Sequence, residues 1–184
     1  MARFPILFLL AIFLCTCAPP QRNSGPRAAR YAYDVEARIA DLGITLEAPG
    51  APIANYVNVV RSGNLLFLAG KGPRTPDGAV LTGKLGAGTT ADEGYAAARN
   101  VGITQLGVLQ AELGDLNRVV RIVKVLGMVN ATPDFTDHPE VINGFSDLMV
   151  EVFGDRGKHA RAAVGMGSLP RGMVCEIELV VEVE

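Results

Sequence analysis

The chain has 184 residues, 49% of them hydrophobic and 20% charged, with 21 Gly and 11 Pro. This suits one ordinary domain with a real core plus a short appendage, and it excludes a disordered, low-complexity or solenoid chain. The net charge of −2 hides four arginines and no acid in residues 1–30; the remainder holds thirteen bases against nineteen acids, a net of −6, which argues against a broad nucleic-acid surface.

The N-terminus is a separate object. Met-Ala-Arg precedes the apolar run FPILFLLAIFL and then CTCAPP. About a dozen apolar residues fall short of the ~20 that a spanning helix needs. A basic residue, a short apolar stretch and small residues make a secretory pattern, assigned to residues 1–17. Cys17 stands where a lipoprotein leader places its modified cysteine. Residues 18–33, with Pro19, Pro20, Asn23, Ser24, Gly25 and Pro26, read as a flexible tether, and residues 34–184 as the domain. Two localisations follow. The protein is secreted, periplasmic or lipid-anchored, with membrane attachment through the leader alone; or it is cytoplasmic, with translation starting further downstream.

Asp34 to Leu42 has helical spacing, with Val35, Ile39 and Leu42 on one side and Gly43 as the stop. A Pro-rich connector, EAPGAPIA, follows. Tyr56–Val60 and Leu65–Ala69 read as strands joined by a turn at Arg61-Ser62-Gly63-Asn64. A short strand is expected around Ala79 to Leu81. Thr90-Ala-Asp-Glu93 is a capping box that opens a long helix, running to Leu113 and stopped by Gly114. Gly94, Gly102 and Gly107 are costly inside that helix and imply close packing on a sheet. Val119 to Met128 alternates and is β-branched, hence a strand. Glu140 to Phe153 is the second long helix. The stretch from His159 to Val183 reads as two strands joined by a tight turn.

The order helix, ββ, α, β, α, ββ gives an α+β domain, a mixed sheet with two long helices on one face. In the last strand Cys175, Ile177, Leu179, Val181 and Val183 point one way, toward the helices. Glu176, Glu178, Val180 and Glu182 point the other way. A sheet face without helices implies association with other subunits. Cys175 is the domain's lone cysteine, so it forms no intrachain disulfide there and reads as a small core residue.

Arg161 and Glu176 carry the chemistry. A guanidinium on a rigid strand grips a small carboxylate with two parallel hydrogen bonds. A nearby glutamate can hold a water or shuttle a proton. The competing reading is an inter-subunit salt bridge at Arg161. Other constellations are weaker. His138 and His159 lack metal-ligand spacing, so no metal is expected. Nothing in the spacing of Ser146 and His159 assembles a Ser-His-Asp triad. GKLGAG at 83–88 lacks the lysine and hydroxyl placement of a phosphate loop.

Three ordered blocks, PIANYVNVVRSGNLLFLAGKGPR, VINGFSDLMVEVFG and ARAAVGMGSLPRGMVCEIELVVEVE, give the stretch from Asn55 to Glu184 its resemblance to the RidA/YjgF family of reactive intermediate deaminases, also called L-PSP endoribonucleases. The resemblance implies a chorismate-mutase-like fold assembled as a homotrimer. It implies clefts between subunits that take small 2-imino or 2-oxo acids, hydrolysed to 2-oxo acid and ammonia without a cofactor. It places the carboxylate-binding arginine at Arg161, the water-holding glutamate at Glu176, a pocket tyrosine at Tyr56 and a helix asparagine at Asn143. The chain departs from the pattern at three points, one of them a loop from Thr132 to Val141 that is longer than in the smallest members. Ala69-Gly70-Lys71 replaces Ser-Gly-Gln, which brings Lys71 to the site or its flank, and Ala163 stands where characterised deaminases often carry cysteine. A non-catalytic trimer that binds small carboxylates is the alternative function.

Overall fold

The computed structural model describes residues 30–50 and 54–184, so the leader assigned to residues 1–17 lies outside the described residues. Among the described residues no helix is long and apolar enough to cross a membrane. Arg30 to Tyr33, read as the end of the tether, lie against the domain. Tyr31 is buried and donates to the carbonyl of Val119 at 2.8 Å, and Arg30 pairs with Glu184 at 2.5 Å.

Local signals set the helix ends. Helix α1, Val35–Asp41, starts at Asp34, whose carboxylate accepts from the Ala37 amide. Helix α2, Ala91–Leu113, opens on the Thr90–Glu93 capping box and ends at Gly114 in the left-handed conformation, φ 74°. Helix α3, His138–Phe153, begins two residues before the expected Glu140 and has Pro139 in its first turn, where a missing amide costs nothing.

Among the described residues the five strands are β1 Val59–Ser62, β2 Leu65–Lys71, β3 Val119–Asn130, β4 Ala160–Met166 and β5 Cys175–Val183. The sheet order is β1-β2-β5-β3-β4, antiparallel throughout except for the parallel pair β3–β4. Three expectations change. Tyr56 precedes β1 instead of starting it. The stretch Ala79–Leu81 makes only isolated bridges, with Val80 opposite Arg74. Most consequentially, β4 and β5 are not a hairpin. Helix α3 is the crossover that lays β4 parallel to β3, and β5 returns on the other side of β3. The connection 167–174 therefore passes around the end of β3, with a helical turn at Pro170–Gly172.

Helices α2 and α3 cover one face, α2 over β2 and β5, α3 over β3 and β4. Val101, Leu106, Leu109, Phe145, Leu148 and Met149 meet Ile122, Val125, Ile177, Leu179 and Val181 in a single core. The helix glycines serve a different contact from the one expected. A side chain at Gly94 or Gly102 would run into Val141 or Leu148 of α3, and one at Gly107 into the backbone of Glu47. Gly144 answers from α3, lying against the carbonyl of Tyr95. Gly94, Gly102 and Gly144 thus let the two helices approach each other, while Gly107 makes room for the connector. Among the described residues no helix covers the opposite sheet face, and Val60, Phe67 and Val164 are exposed there.

Gly144→Ala tests this packing. Alanine is the better helix former, yet its methyl meets α2 backbone, which cannot yield as a side chain tip does. Urea unfolding is expected to show a loss of about 1–3 kcal/mol, the usual cost of overpacking.

Candidate functional site

Two clusters of chemically competent side chains stand on this frame. The first lies where β2 leaves the sheet. Between Leu68 and Lys71 the register with β5 slips by one residue, so Ala69 and Gly70 form a bulge. The fully buried Gln105 of α2 holds it, donating from Nε2 to the carbonyls of Ala69 at 3.0 Å and Ile177 at 2.9 Å. Gly70 leaves room for the Glu176 carboxylate, which any side chain there would strike. The result is an open cavity of about 500 Å³ with Tyr56, Lys71, Arg74, Arg171 and Glu176 in its wall.

Its electrostatics are poised. Half-burial raises the Glu176 carboxyl above the ordinary carboxylate range, and the neighbouring charge of Glu178 adds to the rise. Burial lowers the Lys71 ammonium below the ordinary lysine range, with Arg74 contributing. Lys71 Nζ donates to Asn58 Oδ1 at 2.6 Å, a neutral acceptor. Tyr56 is 48% exposed at the rim. Beneath the site, Cys175 has its thiol pushed up to about 12 by burial, which makes it a core residue and not a nucleophile.

The second cluster lies on the helix side of β4. Arg161 Nη1 donates to Asn143 Oδ1 at 2.8 Å and to Ser146 Oγ at 3.0 Å. Asn143 donates in turn to Glu140 at 3.2 Å. Ser146 Oγ lies 3.1 Å from His159 Nε2, and His159 Nδ1 lies 2.6 Å from the carbonyl of Gly157. A carbonyl only accepts, so Nδ1 carries the proton and Nε2 accepts from the serine. Burial, aided by the charge of Arg161, holds the imidazole below its ordinary range and therefore neutral. A cavity of about 240 Å³ runs past Ser146, His159 and Arg161. Among the described residues no carboxylate pairs with Arg161; both of its partners are neutral.

The two clusters do not meet within one chain. Arg161 is opposite Val125 on β3 and Glu176 is opposite Met128. Val125 is buried beneath the helices, and Met128, three positions on, faces the other side. Arg161 and Glu176 thus point to opposite faces, separated by about 10 Å along the strands and about 10 Å across them. The sequence expectation of an arginine with a nearby glutamate in one hairpin is corrected by the interposed β3. Tyr56, Lys71 and Glu176 share the first cavity. Asn143 is joined to Arg161. Ala163 faces the helix layer and packs against the core.

Sequence reasoning missed Gln105 and Arg171. A glutamine inside an apolar helical stripe was the available signal for Gln105, because a buried amide needs partners. Arg171, between Pro170 and Gly172, takes φ 56°, a conformation that nothing in its residue type announces. No group of His, Cys, Asp and Glu suited to a metal ion occurs among the described residues.

The model of the family described as "YjgF/chorismate_mutase-like, putative endoribonuclease" matches residues 36–183. The chain belongs to the YjgF/RidA family. It is 46% identical over 149 residues to Protein TCP17 of Trypanosoma cruzi, covering 80% of this chain and 93% of that protein. It is similar to the crystal structure of Atu1372 from Agrobacterium tumefaciens, a protein of unknown function, with TM-score 0.74, 38% identity and coverage of 82% and 94%. A RidA structure from a Psychrobacter species matches with TM-score 0.50 at 25% identity, covering 74% and 94%. The five-stranded mixed sheet with two long helices is the family's chorismate-mutase-like fold, and the family includes imine deaminases.

Glu176→Gln tests the burial of this carboxylate. A carboxyl with a raised folded-state pKa makes the ionised native state less stable relative to the unfolded chain. The amide removes that cost. Thermal unfolding should therefore show the variant more stable than the parent at pH 7, with the gain vanishing below about pH 4, where both states of the parent are protonated.

Proposed function

We propose that the protein hydrolyses reactive 2-imino acids, or their enamine tautomers, to 2-oxo acids and ammonia at clefts between subunits. The observation that carries this reading is the guanidinium of Arg161, held at one nitrogen by neutral acceptors and balanced by no carboxylate among the described residues. Such a group is prepared for an anion from outside. Because Arg161 and Glu176 face opposite ways, one substrate reaches both only at a seam between copies of the chain. The family typically assembles as homotrimers, and the helix-free sheet face with Val60, Phe67 and Val164 supplies apolar surface for such a seam.

The chemistry asks little. Arg161 grips the substrate carboxylate with two hydrogen bonds and fixes the plane of the imine. Asn143 and Ser146 hold the arginine. Glu176 from a neighbouring copy takes a proton from a water that adds to C2, then returns it to the departing nitrogen. The hydroxyl at C2 gives up its proton to the nitrogen as the C2–N bond breaks, which releases ammonia and leaves the 2-oxo acid. The raised affinity of Glu176 for protons suits a group that must both accept and give one near neutrality. Tyr56 stands at the rim, where its hydroxyl can donate to the substrate.

One observation favours the second reading, a trimer that binds small carboxylates without turnover. Ala69 carries no hydroxyl where the family pattern has serine. Ribonuclease activity is not proposed. The domain is acidic, and His138 lies over Gly165 while His159 sits beside Ser146, so the two imidazoles form no acid–base pair.

The test couples the purified protein to an amino-acid oxidase that generates 2-iminobutanoate and follows imine decay. Acceleration is expected. Arg161→Ala should lose about 100-fold or more, the scale of a group that stabilises charge in the reacting complex, while keeping its oligomeric state. Asn143→Ala should raise KM more than it lowers kcat, because it loosens the arginine and leaves Glu176 untouched. An unchanged imine lifetime in folded, oligomeric protein, alongside measurable 2-oxobutanoate binding, would select the binding reading instead.

A further inference from the structure

The first cavity contains a group that direct hydration of an imine leaves without a task. Lys71 lies next to Gly70, over which the Glu176 carboxylate rests, and both residues line the same cavity. Its amine is tied to a neutral amide oxygen, Asn58 Oδ1, and to no carboxylate among the described residues. The bulge held by Gln105 sets the direction in which Lys71 leaves the strand. Arg74 and Arg171 share the cavity and add positive charge around it. A desolvated amine beside other cations is the setting in which lysine attacks carbonyl and imine carbons.

We propose that Lys71 is a covalent catalyst whose amine attacks C2 of the imino acid, expels ammonia and carries the carbon skeleton as a Schiff base. The proposal rests on the deaminase reading of the site and deepens it. The balance is complete without any co-reactant. The lysine nitrogen bonds to C2 and gives a tetrahedral diamine. A proton moves from the lysine nitrogen to the substrate nitrogen, with Glu176 as carrier, and the C2–NH₃⁺ bond breaks. Water then adds to the Schiff base at C2 while Glu176 takes its proton and passes it to the lysine nitrogen; the hydroxyl proton follows through Glu176 as the C2–N bond breaks, which returns the 2-oxo acid, the free amine and the ionised carboxylate. No electrons are transferred to or from the pair. The lowered ammonium pKa of Lys71 enlarges the fraction present as free amine, and the raised pKa of Glu176 fits the carrier. The same amine accepts a 2-oxo acid directly, by the reverse of the last step.

That reversal provides the assay. The full chain is incubated with 2-oxobutanoate and sodium cyanoborohydride, and peptides are mapped by mass spectrometry. A reduced secondary amine is expected at Lys71, ahead of Lys84, Lys124 and Lys158, with loss of imine hydrolysis in step with labelling. Lys71→Arg and Lys71→Gln, checked for folding by thermal melts, should both lack the adduct and hydrolyse imine about 10²-fold more slowly, the scale of a positioned group in the reacting step. Full hydrolysis in either variant, or no adduct at Lys71 in active wild-type protein, overturns the covalent step and leaves direct hydration standing. A folded wild-type protein with no imine hydrolysis at all sinks the deaminase reading, and this step with it.

Discussion

A guanidinium that no carboxylate balances among the described residues is the constraint on which the functional account rests. Arginine on an exposed edge strand usually finds a carboxylate, because the pairing is bidentate and geometrically easy. Here Arg161 is fastened by an amide oxygen and a hydroxyl, both neutral, on the adjacent helix. The neighbouring His159 is kept neutral and hydrogen-bonded to the same serine. The positive charge is thus oriented but not cancelled. The helix α3 that supplies Asn143 and Ser146 is also the crossover that makes β4 parallel to β3. One element therefore both places the strand and aims its arginine.

The sheet order turns this into a statement about assembly. With β3 between β4 and β5, the arginine and the glutamate are assigned to opposite faces. Under the proposed function, each monomer carries two half-sites. Each half is well supported from behind. Gln105 clamps the bulge under Lys71 and Glu176, and Asn143 with Ser146 braces Arg161. Under the proposed function, the exposed apolar side chains of the sheet face opposite the helices are the surface that a neighbouring copy covers.

Much of the fold was legible in the chain. The Thr90–Glu93 box, Gly114, and the strict alternation of Cys175 to Val183 are local signals, and local physics decides them. Strand adjacency is not local. The two C-terminal strands look like a hairpin because nothing in their own residues records that β3 already holds the place between them. The glycines of α2 show the same limit. Their cost inside a helix announces a close approach, but whether the approach is to sheet or helix depends on Gly144, fifty residues downstream of Gly94. Arg161, Glu176, Tyr56, Asn143 and Lys71 were named from the sequence. Their division into two clusters was not readable, since it follows from register.

The most direct measurement is a crystal structure of the oligomer soaked with 2-oxobutanoate. The account predicts the ligand carboxylate on Arg161 of one copy, with its C2 turned toward Glu176 and Lys71 of another. A structure in which a protein carboxylate from a neighbouring copy already occupies Arg161, or in which the ligand binds with no contact to that arginine, would contradict it.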